Sequence, residues 1–523
     1  MIRLSGLYRC RAERSATVPV HGSRRIREAS ISAARGAVLT LLLVTATCRH
    51  LPPSTTSGDL AITNVTVIDV TRGTRLAAQT VLVAGTRIVM VGPARSVAVP
   101  GGARVVDGRG AFLVPGLWDM HVHSGGYDHG RRYLPALLAQ GITGVRDMGT
   151  PLEDVLRLRA ESRRPPSDDE LPLPRVVVAG PLLNGPLPFH TPLILSVSTA
   201  REARAAVDSL VSRGVDFVKV HDALPRAEYF AIADEARRRG IAFAGHIPPS
   251  ITADEATRAG QHSIEHLGGR FYGELLACSD REQALRAAVD TIVAGALRDM
   301  RAGRAPDDAA VFRATLTRPL VESFSATREY TRIGTIVAAR QWEVPTLISQ
   351  PLRDALSDAT LRLTSEDRRW ADSLLALQMR LVRDMRRAGV GLLAGTDRDI
   401  ARPALADELT LLAAAGLTPL EVLRAATLDP ALYLAATDSL GAVAPGKLAD
   451  LVLLDADPLR DIGAIRRVRA VVANGRLLDE VERQRLVRRA AAGLRTPLTL
   501  GGIFMDERLW EEPFPRWSTS VRR

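Results

Sequence analysis

Two histidines separated by one residue, His121 and His123, are the first sign of chemistry in this sequence. They end an apolar stretch, PGLWDMHVH, that has the composition of a buried strand. Residues i and i+2 of a strand point to the same face, so the two imidazoles would lie side by side, as metal ligands must. The alternative is two unrelated polar residues at the start of a loop. The remaining ligands must therefore come from elsewhere in the chain.

Further candidate ligands follow other short apolar stretches that have the pattern of strands. They are Lys219, His246, His266 and Asp397. Nitrogen and oxygen donors of this kind suit zinc or a similar divalent ion. Each residue alone is more often an ordinary buried polar group. Such a set at predicted strand ends is difficult to obtain by chance in a chain with ten histidines.

Lysine is rare in this chain, because Lys219 and Lys447 are the only two among 69 Lys and Arg residues. Arginine therefore serves wherever a positive charge is sufficient. Arginine stays protonated, whereas a buried lysine can lose its proton. A neutral amine can add carbon dioxide and become a carbamate, whose oxygens can bridge two metal ions. The alternative is that a lysine simply packs better at position 219.

Eight short apolar segments alternate with helical patterns, and this alternation predicts a (β/α)8 TIM barrel within residues 114–430. The segments cover residues 114–123, 143–148, 175–180, 216–221, 241–246, 262–266, 344–348 and 390–397. The candidate ligands belong to the first, fourth, fifth, sixth and eighth segments. Active sites of such barrels lie at the C-terminal ends of the strands, where these residues fall.

A β-rich unit flanks the predicted barrel on both sides. Residues 59–113 alternate apolar and polar positions between glycine-containing turns, and similar patterns return in residues 431–482. We therefore predict a small composite β-sandwich domain into which the barrel is inserted. Within the barrel, residues 268–342 form a mostly helical insertion. It could be a lid over the site or a structural excursion packed on the barrel rim. Residues 483–523 form a tail without an interpretation.

The beginning of the chain has the pattern of an export signal. Residues 1–47 contain eight arginines and two glutamates, and they end in an apolar run that is too short to span a bilayer. We predict a secretory signal peptide or leader at residues 1–47, a linker at 48–58, and a periplasmic or secreted protein. Cys48 directly follows the run, so a membrane-anchored lipoprotein is an alternative. A start codon assigned too far upstream would also explain the long leader.

Charge and cysteine content argue against other classes of protein. Of the net charge of +11, the leader carries +6 (eight Arg minus two Glu). No basic cluster with interleaved aromatic residues is present, and aromatic residues make up only 4% of the chain. The three cysteines form neither a disulfide framework nor a CxxC zinc motif. We expect a small-molecule substrate, no nucleic-acid partner and a homo-oligomer.

Several motifs extend over residues 60–480. They are PGLWDMHVH, VDFVKVH, AGHIP, SIEHL, AGTD, AGLTPLEVLRAAT and GAVAPGKLADLVLLDADPL. Together they resemble the amidohydrolase superfamily, in the branch that contains imidazolonepropionase-like enzymes and prolidase-type dipeptidases. The resemblance implies a centre of two divalent ions, expected to be zinc. One ion would be held by His121, His123 and Asp397, and the other by His246 and His266.

The resemblance also implies how the centre would work. A carbamate on Lys219, formed from carbon dioxide, and a hydroxide would bridge the two ions. The ions would lower the pKa of the bridging water and polarise the scissile carbonyl. Asp397 would accept the proton and pass it to the leaving nitrogen. Lys447, in the PGKLAD turn, would be structural.

The expected reaction is hydrolysis of a carbon–nitrogen bond in an amide, a dipeptide or a cyclic amide. A lactone or ester hydrolase is an alternative, because the same hydroxide attacks either carbonyl. A non-catalytic binding protein on a barrel scaffold is a third reading, which the complete set of candidate ligands disfavours.

Two departures from the family pattern concern the substrate. Ala406 stands where many relatives carry a histidine, and Arg398 follows Asp397 where a small residue is common. His190 and His221 are candidate substrate contacts, and a structural role remains an alternative for each.

Overall fold

The computed structural model describes residues 58–164, 170–187, 191–302, 316–350, 364–398, 400–401 and 404–493, and two short strands, Thr499–Leu500 and Ile503–Phe504. The predicted leader, residues 48–57 of the linker, and His190 lie outside the described residues. Within the described ranges, no helix is both long enough and apolar enough to cross a membrane.

The first five strands belong to a β-sheet that the two ends of the chain build together. They are β1 (Leu60–Asp69), β2 (Thr74–Ala84), β3 (Arg87–Pro93), β4 (Arg104–Asp107) and β5 (Phe112–Pro115). β1 pairs antiparallel with β2, and Ile62 lies opposite Val81. Both side chains are buried in the core of this sheet. Their branched Cβ atoms favour the extended backbone, as the alternating pattern predicts.

Ten short strands follow, and eight of them are the parallel strands of the barrel. These eight are β6 (Leu117–Val122), β7 (Ile142–Asp147), β8 (Arg175–Val178), β11 (Val218–Val220), β12 (Phe243–Gly245), β13 (Ser263–Glu265), β14 (Trp342–Val344) and β15 (Gly391–Leu392). The other two, β9 (Leu182–Asn184) and β10 (Ile194–Ser196), pair with each other, and β9 also pairs with β11.

Backbone hydrogen bonds beyond the short strands complete the ring. β6, β7 and β8 pair in order, and so do β11 to β15. Between β8 and β11, the backbone N–H of Asp216 donates to the carbonyl oxygen of Val178 at 2.8 Å. Between β15 and β6, the N–H of Met120 donates to the carbonyl oxygen of Ala394 at 2.8 Å. The predicted (β/α)8 fold is confirmed.

Helices connect the strands. In the described ranges they are α1 (Tyr127–Ala139), α2 (Leu152–Ser162), α3 (Ala200–Ser212), α4 (Arg226–Arg239), α5 (Ala253–Ala259), α6 (Gly273–Ala277), α7 (Glu282–Arg301), α8 (Arg318–Glu322), α9 (Ala326–Ala339), α10 (Ser365–Arg387), α11 (Leu405–Ala414), α12 (Pro419–Ala425), α13 (Leu428–Tyr433) and α14 (Glu480–Gly493). Several start at a threonine cap. At α5, for example, Thr252 accepts a hydrogen bond from the N–H of Glu255, whose carboxylate accepts one in return.

Three further strands return the chain to the first sheet. They are β16 (Leu451–Leu454), β17 (Val468–Ala473) and β18 (Arg476–Leu478). β16 pairs antiparallel with β5 and places Val452 opposite Val114. The strand order is β18-β17-β16-β5-β1-β2-β3, with β4 also beside β1. The barrel is therefore inserted in a composite β domain, as predicted.

The described part of the insertion, residues 268–302 and 316–342, is mostly helical and packs on the barrel. Leu285, Leu320 and Ile336 are buried in the same apolar core as the barrel helices. Arg332 of α9 is buried and makes two hydrogen bonds of 2.6 Å to the carboxylate of Glu274 in α6. The Arg332–Glu274 bonds join two helices of the insertion, and Nη1 of Arg332 also donates to Asp254 Oδ1 at 3.1 Å and Thr257 Oγ1 at 2.8 Å in the barrel helix α5.

The seventh strand lies earlier in the chain than the sequence pattern indicates. The pattern predicts a strand at residues 344–348, whereas β14 ends at Val344 and residues Leu347–Ser349 form a 3₁₀ turn. Pro345 explains the difference, because it lacks the N–H that would continue the ladder. Thr346 then takes a left-handed conformation, with φ of 44°.

The packing of the insertion predicts a stability difference between two neighbouring positions of α9. Ile336→Ala should lower the free energy of unfolding by roughly 2–5 kcal/mol, because Ile336 is fully buried. Val337→Ala, at a residue that is 39% exposed, should change it by less than about 0.5 kcal/mol. Urea unfolding of both variants measures the difference. Equal stabilities would contradict the described packing.

Candidate metal centre

The predicted ligands gather at the C-terminal ends of five barrel strands. They are His121 at the end of β6, His123 just after it, Lys219 in β11, His246 after β12, His266 after β13, and Asp397 beyond β15. Neighbouring imidazole centroids lie 4.5 Å apart for His121 and His266, and 4.9 Å apart for His246 and His266. Residues from distant parts of the sequence therefore share one small space.

Three imidazoles point their Nε2 atoms at Asp397. Its Oδ1 atom lies 3.2 Å from Nε2 of His123 and 3.4 Å from Nε2 of His121. Its Oδ2 atom lies 3.4 Å from Nε2 of His266. Donor atoms of His121, His123 and Asp397 all lie within 4.8 Å of one another, a spacing that one metal ion can bridge.

The other ring nitrogen of each histidine is already engaged. In every case Nδ1 donates to a fixed acceptor, which directs Nε2 toward the site. The acceptors are Glu265 Oε2 for His121 (2.8 Å), the Gly149 carbonyl for His123 (2.8 Å), Asp222 Oδ1 for His246 (2.8 Å) and Thr346 Oγ1 for His266 (2.5 Å). The rings are thus held in the tautomer that a metal ion requires.

Burial keeps most of these imidazoles neutral. It lowers the pKa of His121 and His246 well below the usual value, and the charge of Lys219 lowers both further. Burial also lowers the pKa of His266, against the opposing effect of Asp397. His123 differs, because its contact with Asp397 outweighs burial and raises its pKa. Neutral imidazole is the form that binds a metal ion.

Lys219 is a buried amine inside the site. Its side chain is 1% exposed, and Nζ has no hydrogen-bond partner among the described residues. Burial lowers the pKa of Lys219 to about 8, although Glu265 and Asp397 oppose the shift. About a tenth of the amine is therefore neutral at pH 7, and this form is able to act as a nucleophile.

Asp397 stays ionised in spite of its surroundings. Burial by itself would raise the pKa of this carboxyl, but the imidazoles of His266 and His123 and the amine of Lys219 hold it well below its usual range. An ionised carboxylate can bind a metal ion and can also accept a proton.

The backbone is strained at the same place. His266 and Asp397 have φ angles of 57° and 49°, in the left-handed region that residues other than glycine rarely occupy. Thr346, which holds the His266 ring, has φ of 44°. Each such residue costs about 1–3 kcal/mol, and such strain is concentrated at functional sites.

Sequence reasoning missed the residues that hold the ligands. Glu265 and Asp119 lie one and two positions from a predicted ligand, and Asp222 lies three positions after Lys219. Asp119 accepts hydrogen bonds from the N–H and hydroxyl of Thr396 at 3.0 and 2.7 Å. Burial raises the pKa of Asp119 to about 7, although those hydrogen bonds oppose it. The sequence did contain a signal for Asp119, because this acidic residue lies inside the apolar strand LWDMHV.

His221 stands beside the second half of the site. Its ring centroid is 4.4 Å from that of His246, and the donor atoms of His221, Asp222 and His246 lie within 4.8 Å of one another. Burial lowers the pKa of His221 well below its usual value, and the neighbouring His246 adds to the effect.

Arg398, one of the two departures from the family pattern, and Glu408 both contact the turn after the seventh strand. Nη2 of Arg398 donates to the carbonyl oxygen of Ile348 at 2.6 Å. Glu408, two residues after Ala406, accepts hydrogen bonds from the N–H groups of Leu347 and Ile348 at 3.0 and 2.8 Å. Both contacts fix the turn that follows Thr346.

The residues present fit divalent ions. Nε2 of His121 and Nζ of Lys219 are buried without a hydrogen-bond partner among the described residues, which is costly unless another group satisfies them. Four imidazoles, a carboxylate and an amine that can become a carbamate form the nitrogen and oxygen set that zinc prefers.

The model of the amidohydrolase family matches residues 112–478, from β5 to β18. The chain belongs to this family. The match confirms the superfamily suggested by the motifs, and it confirms a hydrolase that acts on carbon–nitrogen bonds. An enzyme is thereby favoured over the non-catalytic binding protein.

Known relatives resemble the chain over most of its length. Uncharacterised proteins of Mycobacterium bovis and Mycobacterium tuberculosis are 26% identical over 384 residues, which are 72% of this chain and 88% of theirs. A candidate prolidase from Bifidobacterium longum is 25% identical, with a TM-score of 0.58 over 83% of this chain and 98% of its own. Bottromycin amidohydrolase is 25% identical, with a TM-score of 0.59 over 83% of this chain and 90% of its own.

The close approach of Gly245 to Lys219 predicts a second stability difference. A Cβ at Gly245 (φ 134°) would lie 2.1 Å from the carbonyl oxygen of Val220 and 3.0 Å from Cδ of Lys219. A Cβ at Gly240 (φ 65°) would meet nothing within 4 Å. Gly240→Ala should therefore cost roughly 1–2 kcal/mol of conformational strain. Gly245→Ala should cost about 1–3 kcal/mol more through overpacking. Denaturant unfolding of the two variants makes the comparison, and equal losses would show that the approach is not tight.

Proposed function

We propose that this enzyme hydrolyses a carbon–nitrogen bond of a small amide, dipeptide or cyclic amide at a centre of two divalent ions. The observation that carries the proposal is the convergence of three imidazole Nε2 atoms on the carboxylate of Asp397. Beside them lies the amine of Lys219, which has no hydrogen-bond partner in the described part of the chain. Zinc is the ion that best suits this set.

The proposed ligand assignment follows the positions of the side chains. His121, His123 and Asp397 would hold one ion, since their donor atoms lie within 4.8 Å of one another. His246 and His266, on the adjacent strands, would hold the other. When bound, two such ions would lower the pKa of a water molecule and polarise a substrate carbonyl.

Lys219 would join the two halves of the centre. It lies on β11, the strand beside β12, and its register partner there is Ala244, two residues before His246. Its neutral amine can form an N–C bond to carbon dioxide with release of one proton. The resulting carbamate would supply two oxygen atoms at a place where Nζ has no hydrogen-bond partner among the residues that the structure describes.

Asp397 would move the proton. Its carboxylate is ionised and can accept a proton from the attacking water. It can then donate that proton to the nitrogen that leaves as the carbon–nitrogen bond breaks.

The substrate class is proposed from the relatives. Structures named as a prolidase and as an amidohydrolase of bottromycin share the fold over most of this chain. A dipeptide or an N-acyl amino acid is therefore the first choice, with His221 as a candidate substrate contact. Turnover assays on dipeptides, N-acyl amino acids and lactones, with the zinc-loaded enzyme, test this. Turnover of lactones alone would replace the amide proposal with a lactone hydrolase.

Replacement of Lys219 should remove metal ions. Lys219→Ala deletes the bridging group, so we expect metal content to fall from about two equivalents and turnover to be lost. The control is Lys447→Ala, at the other lysine. Nζ of Lys447 donates a hydrogen bond to the carbonyl oxygen of Thr437, away from the candidate ligands. The metal content and the turnover rate are measured for both variants and compared with those of the wild type. Full activity of Lys219→Ala without added small carboxylates would refute the bridging role.

Replacement of Asp397 should remove proton transfer. Asp397→Asn keeps the size of the side chain but cannot accept the proton, so turnover should fall by about 10²–10⁴-fold. The rate is measured on the variant after metal loading, with metal content determined on the same sample. A rate close to that of the wild type at equal metal content would rule out the proposed role.

A further inference from the structure

A buried polar network fills the barrel interior below the candidate metal centre. Arg146, on β7, is fully buried and engages all three of its nitrogen atoms. Nε donates to the carbonyl oxygen of Met120 at 2.6 Å. Nη2 donates to both carboxylate oxygens of Glu265 at 2.8 and 2.9 Å. Nη1 donates to Ser263 Oγ at 3.0 Å and to Tyr433 Oη at 2.8 Å.

Glu265 connects this network to the site. Its Oε2 atom accepts the hydrogen bond from Nδ1 of His121 at 2.8 Å. Its Oε1 atom accepts one from the hydroxyl of Ser263 at 2.7 Å. The side chain of Glu265 is fully buried, so a change of its hydrogen bonds could not be compensated by water.

Tyr433 extends the network to the helix that follows the barrel. It is the last residue of α13, and its ring packs against His262 and Trp342, with centroids 4.5 and 5.8 Å away. Both residues lie at the N-terminal ends of barrel strands. The guanidinium of Arg146 stacks over the same ring at 5.0 Å. A residue from beneath the barrel is therefore linked by two side chains to His121.

A fully buried ion pair needs an explanation other than stability. Removing two charges from water is expensive, and apolar residues of similar volume often stabilise such a position equally well. Stability alone therefore does not explain why Arg146 and Glu265, rather than apolar residues, occupy these positions. What it supplies is a carboxylate held rigidly against Nδ1 of a metal ligand.

We propose that Arg146, Glu265 and Tyr433 form a positioning network that sets the tautomer and ring orientation of His121. The inference rests on the proposed function, since His121 must be a metal ligand. The network holds Glu265 in one place, and Glu265 holds Nδ1–H of His121, so that Nε2 faces the ion. Metal affinity on the His121 side then depends on residues that touch neither metal nor substrate.

The chain contains a matched control. Arg332 and Glu274 form a second buried Arg–Glu pair, 2% and 0% exposed, with two hydrogen bonds of 2.6 Å. The described partners of this pair are Asp254, Thr257 and Gln341, none of which is a candidate ligand. Glu274→Gln and Glu265→Gln thus make the same chemical change in equally buried pairs, and only Glu265 contacts a ligand.

The test measures metal binding rather than turnover. Glutamine has one acceptor oxygen, so in Glu265→Gln it cannot serve both Arg146 and His121, and its amide N–H would face a donor. We expect affinity for the first ion to fall roughly 10–100-fold, and affinity for the second to be unchanged. Glu274→Gln should keep both affinities. Equilibrium dialysis against buffered zinc gives both values, and the visible spectrum of the cobalt-substituted protein reports the ligand geometry.

Two further variants separate positioning from folding. The double variant Arg146→Met with Glu265→Gln removes both buried charges, so its thermal stability should exceed that of Glu265→Gln while metal affinity stays low. Tyr433→Phe removes one hydroxyl and should weaken binding of the first ion by a smaller factor. Wild-type affinity in Tyr433→Phe would remove Tyr433 from the network.

The outcomes distinguish this inference from the proposed function. A wild-type protein that binds no metal would refute the proposed function itself. Two ions bound with wild-type affinity by Glu265→Gln would overturn the positioning network and leave the proposed function intact. Equal losses in Glu265→Gln and Glu274→Gln would assign the effect to general destabilisation, which also overturns the network.

Discussion

Closure of the barrel between its last and first strands is the constraint on which the candidate site depends. The backbone N–H of Asp397 donates to the carbonyl oxygen of His121 at 2.8 Å, so the ring closes through two candidate ligands. The left-handed backbone of Asp397 is unfavourable alone, by about 1–3 kcal/mol, and the ring must hold it. Side chains from five strands share one space only because this circle is complete.

Burial then determines the charges in that space. The low-dielectric interior favours neutral imidazoles at His121, His246 and His266, and a partly neutral amine at Lys219. Asp397 remains anionic because its interactions with His266, His123 and Lys219 lower its pKa against the effect of burial. The same desolvation that is costly for folding thus prepares donors for divalent ions. Acceptors outside the ligand set, two of them the carboxylates of Glu265 and Asp222, keep each ring in one tautomer.

The connectivity of the chain protects this arrangement. Strands from both ends of the described chain form one sheet, with β5 and β16 paired at Val114 and Val452. The barrel is held between them, and the helix that ends at Tyr433 inserts a side chain into its interior. The insertion packs on the outside, where Arg332 donates to Asp254 and Thr257 of α5. The site is therefore supported from the sheet, from beneath the strands and from the barrel wall.

The sequence by itself determined the barrel, the composite β domain and the candidate ligands, because strand periodicity and strand-end histidines are local patterns. It could not give Glu265 as the partner of His121, Arg146 as the partner of Glu265, or the end of strand seven at Val344. The two hydrogen-bonded pairs join residues far apart in the chain. The local sequence around a buried residue does not show which distant residue it will contact. Tertiary structure decided these contacts, since only the closed ring fixes which side chains meet where water is excluded.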